Sequence, residues 1–131
     1  METTGTRPTE IAYLAGFFDG EGCVLYDRIM VDNTNPYLLE KFYLIWGGRI
    51  GEKGDATRTE QTRTCYRWHA HGDTARKAAR DMMPYLVEKK QQAEILLEVI
   101  NYPLSSAMRE YHLKQLKNLK RIEYGGYTQP T

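Results

Sequence analysis

Cysteine is nearly absent from this chain. Cys23 and Cys65 are the only two in 131 residues, too few for a disulfide framework or a four-cysteine zinc site. The expectation is two reduced, buried thiols in an intracellular protein. Long apolar runs are missing as well, which excludes a transmembrane helix and a membrane partner. The polar start, Met1 to Thr9, lacks the apolar core of a signal peptide. Neither sign of charge is in surplus: Lys plus Arg is 18 and Asp plus Glu is 17, a net charge of +1. No polybasic, histone-like chain has that balance. Internal repeats and linker-like shifts of composition are also lacking. What remains is 41% hydrophobic and 27% charged, ordinary for a globular protein. The reading is one domain, residues 1–131, long enough to build a core without staples.

The even charge total hides an asymmetry. Residues 1–48 hold three basic against seven acidic residues, −4, and residues 49–131 hold fifteen against ten, +5. Within 49–80 the count is eight basic to four acidic, with His69 and His71 added. A polyanion-facing surface, if the chain has one, belongs to this middle stretch. A solvated strand face with no partner is the alternative.

Periodicity and punctuation predict the order α, β, β, α, β, β, α, α, α. Thr9 caps a first helix that carries Ile11, Leu14, Phe17 and Phe18 and ends near Gly20. Cys23 to Asp32 is strand-like, with room for two stubs or one normal strand at about 3.3 Å per residue. Asn35 caps a second helix with Pro36 at its first position, and Gly47-Gly48 stops it. Arg49 to Lys53 begins a strand. Thr62 to His71 alternates with period two: Thr62, Thr64, Tyr66, Trp68 and Ala70 on one face, Arg63, Cys65, Arg67, His69 and His71 on the other. Asp73 caps a third helix, Pro84 starts a fourth, and Ser105 or Ser106 caps a last one.

The first helix is the informative element. Ala12, Gly16 and Gly20 stand four apart and form a stripe without side-chain bulk. Glycine inside a helix costs about 0.5–1 kcal/mol relative to alanine, so close approach of another backbone is the reading. That neighbour is a helix of the same chain or of a second copy. The helix ends in two acids, Asp19 and Glu21, where the negative dipole end disfavours them. Exposure to water is one explanation, and a bound cation is the other. If the stripe packs on a two-fold mate, both copies of Glu21 meet at the base of the interface. Two carboxylates there suit Mg²⁺, which takes one or two carboxylates together with phosphate oxygens, as in two-metal phosphodiester hydrolysis.

Leu14-Ala15-Gly16-Phe17-Phe18-Asp19-Gly20-Glu21-Gly22 resembles the LAGLIDADG motif of homing endonucleases. Arg49 to Lys53, Cys65 to Trp68, Pro84 to Leu86 and Lys89 to Ala93 look like later landmarks of single-motif members. The resemblance implies an α+β fold, a saddle of αββαββα type whose antiparallel sheet is backed by helices. Here it has a shortened first hairpin and extra C-terminal helices. It implies a homodimer joined through Ala12, Gly16 and Gly20. It also implies an Mg²⁺-dependent enzyme that makes site-specific double-strand breaks in DNA, as in intron, intein or mobile-element homing. A non-cleaving nucleic-acid-binding protein of the same fold, an RNA-splicing maturase or a regulator, is the alternative function. By the same resemblance, Glu21 is the metal ligand and the Gly20 carbonyl a second metal contact. Asp19 is the motif's first acid, grouped with the metal residues but more structural. Asn33 positions water and Lys89 stabilises transition-state charge.

The polar sheet face is expected to carry the duplex. Its candidates are Arg28, Arg49, Lys53, Arg58, Arg63, Arg67, His69 and His71, because arginine takes guanine bidentately and both cations neutralise phosphates. Trp68 and Tyr66 are expected in the core. His69 and His71 have no third ligand at useful spacing, so zinc is not expected. Lys114, Lys117, Lys120 and Arg121 read as a solvated helix face.

Overall fold

The computed structural model describes residues 7–25, 27–53, 64–99 and 107–120. Helix α1 (Arg7–Glu21) leads into a hairpin of β1 (Gly22–Leu25) and β2 (Arg28–Asn33). Helix α2 (Pro36–Trp46) follows, then β3 (Arg49–Glu52), β4 (Tyr66–His71) and α3 (Gly72–Met82). A short 3₁₀ turn, Met83–Tyr85, precedes α4 (Lys90–Val99) and α5 (Ala107–Lys120). The predicted order and α+β class hold. The stretch Cys23 to Asp32 resolves into two stubs rather than one strand, so the first hairpin is short.

The four strands form one antiparallel sheet in the order β1-β2-β4-β3. Its inner face buries Val24, Ile29, Val31, Trp68 and Ala70 against α1, α2 and α3. Phe42 and Trp68 lie 4.9 Å apart between ring centres, and Trp46 and Phe17 extend the aromatic cluster. Trp68 Nε1 donates to the carbonyl of Gly47 at 2.8 Å, so burial leaves its one donor satisfied. Trp68 thus faces the helices, as the alternation requires.

Local chemistry accounts for α2. The Asn35 side chain accepts from Tyr37 N–H at 3.0 Å, Pro36 fills the first position, and Gly47 ends the helix at φ 90°. Gly48 is needed for space as well as conformation, since a Cβ there would meet the His69 carbonyl oxygen at 2.6 Å. At the turn from α1 into β1, a Cβ on Gly22 would lie 2.2 Å from the Phe18 ring. Phe18 can pack over that turn only because residue 22 has no side chain.

Four boundaries differ from expectation. Helix α1 starts at Arg7 rather than at a Thr9 cap, with Pro8 in a first turn that needs no N–H, and it runs on to Glu21. Strand β4 begins at Tyr66; Thr62 and Arg63 lie outside the described residues. Helix α3 begins at Gly72, and Asp73 sits in its first turn, paired with Arg76 instead of capping. Pro84 opens only the 3₁₀ turn: Leu86 is extended, and α4 starts at Lys90. The cause of this last break is Asp19, whose carboxylate holds the N–H groups of residues 87–89 in a loop. Ser105, Ser106 and the residues after Lys120 are outside the described set. Both cysteines are free and half-buried rather than buried.

Candidate active site and nucleic-acid interface

Three parts of the chain converge where α1 ends. Glu21 is its last residue and is exposed, and its carboxylate has no hydrogen bond or ion pair among the described residues. Gly20 beside it is exposed, and a Cβ there would meet nothing within 4 Å. Register places Asn33 at the same end of the sheet, two residues beyond Val31, the partner of Gly22. The Asn33 side chain accepts the Asn35 N–H at 2.7 Å, which fixes its oxygen in the turn and leaves its amide donors available.

Asp19 does different work from Glu21. Its two oxygens accept the backbone N–H groups of Val87 at 3.1 Å, Glu88 at 3.0 Å and Lys89 at 2.8 Å. Desolvation alone would raise its pKa. The N–H donors of Glu88, Lys89 and Val87, with the Lys89 charge, outweigh it and hold the carboxyl below its ordinary range. Both Asp19 oxygens accept from the loop, so its carboxylate caps residues 87–89. The same loop delivers Lys89, whose Nζ donates to the Asp19 carbonyl oxygen at 2.7 Å. A basic head and a free carboxylate are thereby set within two residues of each other along one helix end.

A cleft of about 270 Å³ opens beside them, lined by Gly22, Cys23, Glu88, Lys89, Gln92, Leu119 and Lys120. Lys120 is not solely a solvated residue, since its Nζ lies 3.5 Å from Cys23 Sγ. Gln92 is 9% exposed, and its Oε1 is buried without a hydrogen-bond partner among the described residues. In the sequence Gln92 stands only as part of the landmark Lys89 to Ala93, with no role assigned to it.

Fit to a divalent cation is that of half a site. Among the described residues no three His, Cys, Asp or Glu side chains cluster for a metal. One chain offers one free carboxylate and an unencumbered backbone at Gly20. A hard ion that keeps several waters and takes phosphate oxygens needs little more from each chain.

The outer sheet face carries Arg28, Arg49, Lys53, Arg67, His69 and His71 of the predicted basic set. Register aligns Arg28 with His71, Met30 with His69 and Asp32 with Arg67, and on the other side of β4 aligns Arg49 with His69 and Gly51 with Arg67. Arg28, Arg49 and His71 are exposed, and Lys53, Arg67 and His69 are half-buried. Met30 breaks the alternation, being 8% exposed on the open side. Arg58 and Arg63 lie outside the described residues. The His69 and His71 rings stack, with centres 5.9 Å apart and planes at 14°. Burial lowers the His69 pKa, and the charges of His71, Arg28, Arg49 and Arg67 lower it further.

Arg67 is not a free cation. Its Nε donates to Asp32 Oδ1 at 2.7 Å and its Nη2 to Asp32 Oδ2 at 3.0 Å. Lys53 Nζ stands 3.3 Å from the same Oδ2. The Arg67 hydrogen bonds, joined by Lys53, hold the Asp32 carboxyl below its usual range against desolvation. Sequence reading counted these cations singly and missed Asp32, because the pairing depends on register between strands 35 residues apart.

The small stripe of α1 is open. Gly16 is exposed, and a Cβ there would meet nothing within 4 Å. No helix among the described residues of this chain fills the stripe. Ala12 is half-buried at its margin, while Tyr13 is 60% exposed. Tyr13 therefore belongs to the open face, and Ala12 only partly.

Residues 8–101 match the family profile of a LAGLIDADG-like domain. No curated protein matches the sequence. Among solved structures, the homing endonuclease I-CvuI in complex with the I-CreI target C1221 is similar. It matches at 18% identity and TM-score 0.71, over 91% of this chain and 87% of that one. That complex was formed with 2 mM Mg, and its DNA is not cleaved. I-CvuI with its own target Sro1.3, in 2 mM Ca, matches at 17% identity and TM-score 0.59, over 88% and 98% of the two chains. At such identities the structures speak for the fold. The profile spans most of the sequence, and the motif ends in a free acid at the end of α1, beside the open hairpin sheet. The chain belongs to the family of LAGLIDADG-like domains.

Proposed function

We propose that this protein is a site-specific DNA endonuclease that acts as a homodimer. The observation that carries the reading is the division of labour between the two acids of the motif. Asp19 spends its carboxylate on the loop that delivers Lys89, while Glu21 is left exposed and unpaired among the described residues. A carboxylate left free beside a held lysine suits phosphodiester chemistry better than it suits packing.

The open face of α1, centred on Gly16 and Gly20, receives the same face of a second copy. An adjoining groove of about 530 Å³, lined by Tyr13, Leu14, Leu44 and Ile45 among others, gives that contact an apolar margin. Leu44 at 76% and Tyr13 at 60% exposure give that margin apolar surface to bury. Pairing brings two Glu21 carboxylates together. Glu21 and the Gly20 carbonyl of each copy would hold Mg²⁺, which when bound would supply an activated water and charge stabilisation at the leaving oxygen. Lys89 offsets charge that develops on the phosphate. The Asn33 amide orients water at the site. Arg28, Arg49, Lys53, Arg67 and the two histidines meet the duplex.

The test uses supercoiled plasmids carrying candidate insertion-site DNA, with Mg²⁺ or EDTA. Linear product is expected with Mg²⁺ only. Glu21→Gln keeps size and removes the charge, so cleavage should be lost while DNA binding persists. Tight binding by the wild type with no nicking under any divalent ion would replace the enzyme with a non-cleaving nucleic-acid-binding protein, an RNA-splicing maturase or a regulator. The four-residue β1 is the feature on the side of that second reading, because it shortens the saddle.

A further inference from the structure

We propose that Asp32 is a positioning residue that presents Arg67 to a guanine, making this pair a determinant of the DNA sequence read. The inference rests on the open sheet face meeting a duplex. The geometry supplies the rest. Asp32 takes Arg67 from the side, through Nε and Nη2. A guanidinium has five N–H donors in a rigid plane, so three remain. Two of these, one on Nη1 and one on Nη2, point parallel off the end of the fork. Their spacing matches O6 and N7 of guanine in the major groove. None of the remaining three has a partner among the described residues.

The surroundings keep that end accessible. Across β4 from Asp32, the register partner of Arg67 is Gly51, and a Cβ there would meet nothing within 4 Å. Gly51 itself adds no side chain on that flank. Arg67 keeps 34% of its side-chain surface exposed and Asp32 keeps 28%.

A carboxylate on a face that meets phosphates repels them, and it would be a poor choice as a sheet staple alone. An exposed cross-strand ion pair contributes at most about 1 kcal/mol. Lys53 on the second oxygen offsets the repulsion, so the trio stays net positive while the arginine is locked. A locked arginine loses less conformational freedom on binding and cannot swing to a phosphate, which is how a cation becomes a base reader.

The experiment is selection from a randomised duplex library in Ca²⁺, with wild type, Asp32→Ala, Asp32→Asn, Arg67→Ala and the Asp32/Arg67 double variant. Wild type should prefer guanine at one symmetric pair of positions by about ten- to a hundred-fold. Arg67→Ala should erase that preference alone. Asp32→Ala should lower it at least several-fold at the same positions, and the double variant should lose no more than Arg67→Ala does. Asp32→Asn keeps the shape and one acceptor. It should give an intermediate preference, and it serves if the alanine variant is poorly folded by urea unfolding. Asp32 variants that bind every sequence equally more tightly, with the guanine preference intact, overturn the proposal, because Asp32 would then only tune charge. So would loss of preference at positions different from those of Arg67→Ala. If wild type selects no duplex at all, the endonuclease reading falls first; if it selects a site with no Arg67-dependent guanine, only this inference falls.

Discussion

Replacing Asp19 separates its capping role from a metal role. Its carboxylate accepts three backbone N–H bonds of 2.8–3.1 Å from residues 87–89. A hydrogen bond to a charged group contributes about 1.5–3 kcal/mol, but three bonds to one carboxylate do not add. The bonds from Val87 and Glu88 are exposed, so those donors return to water when the acceptor is removed. The Lys89 bond is partly buried and keeps more of its value. Asp19→Ala should therefore cost about 1–2 kcal/mol, like the loss of a good helix cap, and Asp19→Asn about half as much. At this chain length that is a fall in melting temperature of roughly 3–8 °C for alanine. The assay is urea and thermal unfolding in EDTA, at pH 7 and again near pH 3. The folded carboxyl has a lowered pKa. Its stabilisation is present above the unfolded value, near pH 4, and is lost as pH falls through the folded one. Wild type and Asp19→Asn should differ at pH 7 and converge in acid. Equal midpoints at pH 7 in EDTA, or a gap that appears only when Mg²⁺ is added, would refute the capping role.

Gly16→Leu meets open space in the single chain, so the fold should survive and the dimer should not. Light scattering should show half the wild-type mass with an unchanged circular dichroism spectrum, and an intact dimer would count against the α1 interface. Burial, with His71, Arg28, Arg49 and Arg67 nearby, lowers the His69 pKa in the folded protein, so the unfolded chain binds a proton first as pH falls. Stability should drop from about pH 6.5 downward, and His69→Gln should flatten that drop in urea unfolding at stepped pH. For DNA affinity, Arg49 is an exposed cation with no ion pair among the described residues. Arg49→Ala should lower the slope of log affinity against log salt by about 0.9 per protomer, and an unchanged slope would remove Arg49 from the phosphate contacts.

The features legible in the sequence are those decided within a few residues. Asn35, Pro36 and Gly47 start and stop α2 by themselves. The alternation through Trp68 and Ala70 fixes which face of β4 is core, because one face carries aromatics and the other charge. The resemblance implied roles for Glu21 and Lys89, and the fold holds Lys89 against the helix end that carries Glu21. The parts that could not be read depend on partners far along the chain. Asp19 is expected to be the more structural acid, but its partner, the loop that closes on it 68–70 residues later, could not be read. That same closure is why Pro84 does not start a long helix: the N–H groups that would continue it are drawn to Asp19 instead.

Arg67 is the same case on the sheet. Whether it is a free cation or half of a locked pair depends on which residue of β2 stands opposite. A slip of one residue would put Val31 or Asn33 there instead of Asp32 and turn the faces over. Register is set by burying Val31 and Ile29 against the helices, and the apolar core thereby decides the pairing on the polar side. The open face is in this sense a product of the closed one. Its cations stand on β2, β3 and β4 and on Lys53 just after β3, while β1 carries no charged residue. The short hairpin therefore gives up length of surface and little positive charge.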